Sequence, residues 1–304
     1  MNVPQHFLIG AQKCATTWLY LCLREHPELF LPVHKREFEY LANPQYQTEG
    51  LDRFFALFDQ ASEDQVIVDV SVEYFFDPLA AELVHKEVPN ARFIVALRNP
   101  IERALSAYAW NVRKGFLPDL PIDEGMRRVL SPEQSAVSVE ERDAYTEILE
   151  RGFYDVQLER YLRCFEPDRF LIVLYDHIVS EPKDAIRQIF AFLEVATDFR
   201  PNSLRRRPKV TTHVRPLVLF ERLFPSSRDG LPKLTARAAG RVTEFVNEGI
   251  LRLGFRRQTA KLDSNVRVEL SDVYRSHTQK LQEMLSGIKV VGADALPHLD
   301  TRWS

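Results

Sequence analysis

Lys13 lies three residues after Gly10 and three and four residues before Thr16 and Thr17, in the stretch IGAQKCATTWLY. The apolar run from His6 to Ile9 that leads into it predicts a strand, Gly10 a turn, and the pattern from Thr16 to Glu25 a helix. A strand–loop–helix of this kind aims several backbone N–H groups at one spot, and the helix dipole adds partial positive charge there. Lys13 supplies a full charge, and Thr16 and Thr17 further donors; Gln12, Cys14, Ala15 and Trp18 complete the segment. Such a loop can hold a phosphate or a phosphosulfate. Its spacing is not that of the ATP-binding loop G-x-x-x-x-G-K-[ST], because the second glycine is missing. A plainer reading stands beside this one: Gly10 turns the chain, Thr17 caps a helix and Lys13 is solvated.

A second signal comes from VALRNPIERALSAY, Val95 to Tyr108, where an apolar strand ends in Arg98. Asn99 fits an N-cap and Pro100 the first helical position, so a helix is expected to begin at once. Ser106 then falls about two turns into that helix. The carboxyl end of a strand is where open α/β sheets bind ligands. An arginine fork there suits a second phosphate better than a lysine would. Taken alone, Arg98 reads as a surface ion-pair partner. Together with the first loop it predicts a ligand with two separated anionic groups.

With these stretches the sequence resembles the sulfotransferases that use 3′-phosphoadenosine 5′-phosphosulfate (PAPS), of the carbohydrate (heparan-sulfate and Nod-factor) type, and their bacterial relatives. GAQKCATTWLY is similar to the family's 5′-phosphosulfate loop and RNPIERALSAY to its 3′-phosphate motif. Three further stretches fit in order. REFEYL, Arg36 to Leu41, is similar to the K-E-x-x-F-F element, and DVSVEY, Asp69 to Tyr74, to the E-K-[ST]-P-x-Y strand. GFYDVQLERYLRCF followed by FLIVLYDHI is similar to the G-x-Y-x-x-x-L helix and the strand after it. The resemblance runs from about Phe7 to Leu193. Arg36 replaces the usual lysine, and Val72 stands where proline is common.

The resemblance implies a three-layer α/β/α fold with a central parallel sheet, like that of the P-loop NTPases, and a helical C-terminal extension. It implies PAPS as donor, with Lys13 at its leaving oxygen and Arg98 and Ser106 at its 3′-phosphate. It makes Glu37 the candidate base for the acceptor hydroxyl, although the run Lys35 to Glu39 also reads as a solvated charge cluster. Asp69, at the end of a predicted strand, is the alternative base, or a residue that orients Lys13 or Arg36. Tyr154 either packs on adenine or belongs to the apolar face of its helix. In the family a basic loop late in the fold closes over the 3′-phosphate; here RRRPKVTTHVRP, residues 205–216, offers Arg206 or a neighbour.

These residues need elements to position them. QVIVDVS, Gln65 to Ser71, ARFIVALR, Ala91 to Arg98, and FLIVLY, Phe170 to Tyr175, are near-continuous apolar runs, as strands covered on both faces are. Helical periodicity falls over 78–86, 101–113, 154–165, 182–193 and 267–285. The alternation predicts a parallel sheet with helices, in one domain over residues 1–304. Residues 116–141, rich in Pro, Ser and acidic side chains, read as a surface insertion or lid on the acceptor side.

The 40 Lys and Arg against 43 Asp and Glu give a net charge of -3, so bulk charge does not point to a nucleic-acid partner. Three cysteines, Cys14, Cys22 and Cys164, have no metal-ligand spacing and suggest a reducing, cytoplasmic compartment. The cysteines read as bland, although Cys14 lies in an electropositive loop of the kind that sensitises a thiol to modification. No signal peptide or membrane span is read, and no metal motif, so no metal is expected. The acceptor is expected to be a saccharide, a glycolipid or a small hydroxylated molecule. A nucleotide kinase and a nucleotide-binding module without catalysis are the competing readings.

Overall fold

In the computed structural model, which describes residues 2–32, 52–135, 138–205, 262–294, 299 and 303, the apolar runs become strands of one sheet. They are β1 (His6–Gly10), β2 (Leu29–Phe30), β3 (Val66–Val70), β4 (Arg92–Leu97), β5 (Phe170–Leu174) and β6 (Lys289–Val291), in the order β2-β3-β1-β4-β5-β6. Every pairing is parallel. Successive residues of β1 and β5 are buried without alternation, so both faces of the sheet centre are covered. β2 and β6 were not foreseen. At two and three residues, they are too short for periodicity to register.

The helices are α1 (Thr16–Arg24), α2 (Asp52–Phe55), α3 (Glu73–Phe76), α4 (Ala80–Glu87), α5 (Pro100–Lys114), α6 (Ile122–Leu130), α7 (Pro132–Ser135), α8 (Val139–Glu150), α9 (Tyr154–Leu162), α10 (Tyr175–Ser180), α11 (Pro182–Phe192) and α12 (Ser264–Met284). The α/β class with a central parallel sheet and a C-terminal helix is as the sequence implied. One local expectation is corrected: the stretch Asp69–Tyr74, likened to a strand, leaves β3 at Val70, and Glu73 already opens α3. Residues 116–141 carry α6, α7 and the start of α8, with Ser138 capping α8 by accepting from the Glu141 N–H at 3.2 Å. Pro and Ser there mark helix ends.

The chain forms two compact units. One comprises Met1–Arg103, Phe153–Lys209 and Ser271–Ser304, and holds the sheet. Its core centres on Phe93, which stacks with Phe7 at 5.8 Å and Phe170 at 5.1 Å and meets Tyr161 and Phe165 edge-on. The other comprises Ala104–Gly152 and Val210–Leu270. In it Gly125 lets α6 lie against Tyr108, where a Cβ would come within 2.2 Å of the ring. Among the described residues, no helix is long and apolar enough to cross a membrane.

Candidate functional site

Sequence order reverses at β1, which has β3 on one side and β4 on the other. That is the switch point at which parallel sheets open a crevice beyond the strand carboxyl ends. The loop carrying Lys13 leaves β1 there, and Arg98 leaves the neighbouring β4. The last tie between the two strands is the Ala11 N–H donating to the Ala96 carbonyl at 2.8 Å.

The loop is held open by its backbone. Gly10 has φ +153°, and a Cβ there would stand 2.9 Å from Phe75 Cβ of α3. Lys13 and Ala15 both adopt left-handed conformations, φ 69° and 70°. Each costs a non-glycine residue about 1–2 kcal/mol, a strain of the kind that collects where a loop must be shaped for a ligand. Alternating hands turn successive N–H groups into a concave anion nest. Ala15 is the N-cap of α1, so no side chain caps that helix. The Trp18 and Leu19 N–H groups donate to the Ala15 carbonyl at 2.9 and 3.0 Å, which leaves Thr16 and Thr17 as the first-turn residues next to the loop, with Lys13 half-buried just before them. The helix begins at Thr16, not after Thr17, so the reading of Thr17 as a cap is corrected; Thr16 is buried and Thr17 exposed.

Arg98 follows β4 as expected. Its side chain is mostly buried, with the guanidinium 4.5 Å from the centre of the Tyr175 ring and 3.9 Å from Glu102 Oε2. Asn99 caps α5: its Oδ1 accepts from the N–H groups of Ile101 at 2.9 Å and Glu102 at 3.1 Å. Pro100 is the first helical residue. Ser106 lies on the same helix, half-buried, beyond the boundary between the units.

Behind these two elements lies a buried cluster the sequence did not reveal. Tyr154, 2% exposed, donates its hydroxyl to the Arg98 carbonyl at 3.0 Å, and Cys14 Sγ stands 3.8 Å from the same oxygen. Its ring meets Trp303 edge-on, so the structure shows Tyr154 in the apolar face of α9. Arg103, fully buried, hydrogen-bonds the Tyr274 hydroxyl and lies close enough to bias Cys14 and Tyr154 electrostatically. The signal for it was present, as the second arginine of RNPIER, five residues after the first. A cation fully inside the core is not what an arginine in a helix's first two turns ordinarily predicts. Burial pushes the Cys14 thiol up, and its sulfur has no exposed surface, which corrects the expectation of a modifiable residue. Cys22 is likewise pushed up to about 12 by burial.

Asp69 lies on β3 in register with Phe7, and is 2% exposed. Burial pushes its carboxyl up to about 7, against the Tyr74 hydroxyl and the Val70 N–H, which donates to Oδ1 at 2.9 Å. Glu37 and Arg206 lie outside the described residues. The approach to the basic segment does not: Trp18 Nε1 donates to the Ser203 carbonyl at 3.1 Å. Glu25 accepts from the Asn202 N–H and from Ser203 Oγ. The 3₁₀ turn Asn202–Arg205 is thereby pinned to α1 and to Glu25 at its C-terminal end. Among the described residues, no group of three or more His, Cys, Asp or Glu side chains could hold a metal.

A parallel sheet whose central strand feeds a lysine-bearing loop beside a strand-end arginine defines an α/β protein with both groups at the switch point of its sheet. The chain belongs to the sulfotransferase domain family, whose model matches residues 4–213. It is 28% identical over 200 residues to heparan sulfate glucosamine 3-O-sulfotransferase 6 of Homo sapiens, covering 64% of this chain and 54% of that protein. It is 24% identical over 298 residues to the bifunctional heparan sulfate N-deacetylase/N-sulfotransferase 2 of Homo sapiens, covering 94% of this chain and 30% of that one. The chain thus spans about half or less of the length of these curated relatives. Its fold is that of a sulfotransferase from Alicyclobacillus acidocaldarius, with a TM-score of 0.66 at 21% identity over 96% of this chain and 99% of that one.

Proposed function

We propose that the protein transfers a sulfuryl group from PAPS to an acceptor hydroxyl by in-line displacement. The observation that carries this is the adjacency of two anion sites, the Lys13 loop after β1 and Arg98 after β4, on neighbouring strands. In the transfer, the bond from sulfur to the bridging phosphate oxygen breaks as the acceptor oxygen bonds to sulfur. The acceptor's proton passes to a carboxylate, Glu37 or Asp69. Charge grows on the departing 5′-phosphate, and the preorganised N–H groups and Lys13 stabilise it there. The protein chemistry is positioning and charge stabilisation, as in phosphoryl transfer. A saccharide acceptor is supported by the relatives named as heparan sulfate sulfotransferases. Residues 116–141 supply the acceptor side in this reading, with Arg206 or a neighbour closing on the donor.

The test is calorimetric. 3′-Phosphoadenosine 5′-phosphate (PAP), which keeps both anions, should bind well above AMP. Arg98→Ala should cost about 10- to 150-fold in PAP affinity, the range for losing charge-assisted hydrogen bonds of about 1.5–3 kcal/mol. Equal affinity for PAP and AMP would sink the two-anion site.

A further inference from the structure

We propose that Tyr154 is a positioning residue that fixes the spacing between the two anion-binding elements. This rests on the two-anion reading of the site and says how its halves are held together. The ladder between β1 and β4 ends at the bond from Ala11 to Ala96, before either functional element begins. Beyond it the loop residues 12–15 and the turn at Arg98 leave the sheet. Tyr154 reaches both. Its hydroxyl donates to the Arg98 carbonyl at 3.0 Å and lies 3.8 Å from Cys14 Sγ. With the phenolic proton given to that carbonyl, the Cys14 thiol shares its one proton between the Tyr154 oxygen at 3.8 Å and the Gln12 carbonyl at 3.6 Å, so the loop-side contact is the weaker of the two.

The geometry suits a spacer. The ring is wedged in the core at the first residue of α9, against Trp303, and cannot swing. Cys14 sits between Lys13 and Ala15, the two left-handed residues that shape the nest, so moving its side chain moves both. The Arg98 carbonyl belongs to the residue whose guanidinium is assigned to the 3′-phosphate, one position before the Asn99 cap. Buried Arg103 and Tyr274 close the far side and keep water from replacing the contact. A ligand that bridges both elements depends on their separation; a ligand that touches one does not.

The experiment compares three ligands by calorimetry on the full chain: PAP, AMP and adenosine 3′-phosphate. Tyr154→Phe keeps the ring and removes the hydroxyl. PAP affinity should fall about 3- to 10-fold, the scale of one buried hydrogen bond, while both monophosphates change by less than about 2-fold. A uniform loss across all three ligands would show a merely structural role and overturn the proposal, as would no loss for PAP. Should Tyr154→Phe fail to fold, Cys14→Ala carries the same comparison by removing the loop-side contact, together with the one from Sγ to the Gln12 carbonyl within the loop. It should again weaken PAP more than either monophosphate, and parity among the three overturns the proposal. If the unmodified protein itself binds PAP no better than AMP, the two-anion site fails first. That result is distinct from a selective site that Tyr154 does not govern.

Discussion

Lys13 and the two carboxylates do different work, and substitutions separate them. In the proposed transfer, Lys13 contacts the donor before and during the reaction, with the contact strengthening as leaving-group charge grows. Lys13→Ala should therefore lower turnover and weaken PAP binding together. Glu37→Gln should leave donor affinity nearly intact and lower turnover by about 10²–10⁴-fold if Glu37 takes the proton. Asp69, held at about 7 by burial, is half-protonated at neutral pH, which is where a general base works best. If Asp69 is the base, Asp69→Asn abolishes turnover, and the wild-type rate rises with pH through about 7. If turnover survives Asp69→Asn and collapses in Glu37→Gln, Glu37 is the base, and the acid limb at about 7 is not expected. Steady-state rates with a saccharide acceptor across pH 5–9 distinguish these outcomes. The sequence offered both carboxylates and could not rank them, because burial sets the protonation state and burial is not a property of a six-residue motif.

The two helices at the site meet their N-termini in opposite ways, and this decides what each can bind. α5 has its first N–H groups satisfied by Asn99, whereas α1 has Ala15 at the cap and no side-chain acceptor. An uncapped N-terminus keeps its N–H groups and its partial charge for a ligand. Asn99→Ala should cost about 1 kcal/mol of stability, read as a lower urea midpoint. It should also weaken PAP binding, because the turn that aims Arg98 begins at this cap. Unchanged stability would mean that Ile101 and Glu102 find other acceptors. Asn-Pro after an apolar run was enough to place α5 from sequence. The missing cap on α1 was not legible, since Thr17 read as a cap and only the backbone shows that the helix starts two residues too early for Thr17 to serve.

At the scale of the first unit, two buried titratable groups give its stability opposing pH dependences. His6 opens β1 with both ring nitrogens buried and without hydrogen-bond partners among the described residues. Burial, and after it Arg92, pushes it down to about 4 from 6.5, with Glu194 opposing. It is neutral in the fold, so its contribution is present above about pH 6.5 and lost as pH falls through about 4. Asp69 runs the other way. Raised from 3.8 to about 7, it favours the fold below about pH 4, and that contribution is lost as pH rises through about 7. Between pH 4 and 6.5 the two slopes oppose each other. Urea midpoints should therefore climb with pH over that window in Asp69→Asn and fall with pH in His6→Phe. Parallel profiles for wild type and both variants would show that neither group titrates differently on folding.

The sequence by itself determined the elements that carry local signals: apolar runs for β1, β3, β4 and β5, a capped start for α5, and the residue types of an anion loop and a strand-end arginine. These follow from periodicity and from backbone rules that act within a few residues. Only the tertiary structure decided the rest. It ended β3 at Val70 and placed β2 and β6 on the sheet edges. It buried Arg103, took Cys14 out of solvent, and set the Tyr154 hydroxyl between Cys14 and the Arg98 carbonyl. Each of those outcomes depends on residues far apart in the chain meeting in the fold, as Leu29 meets Val66 and Cys14 meets Tyr154. A carboxyl at about 7 or a thiol without surface is a property of that meeting, since burial and neighbouring charge, not residue type, set them.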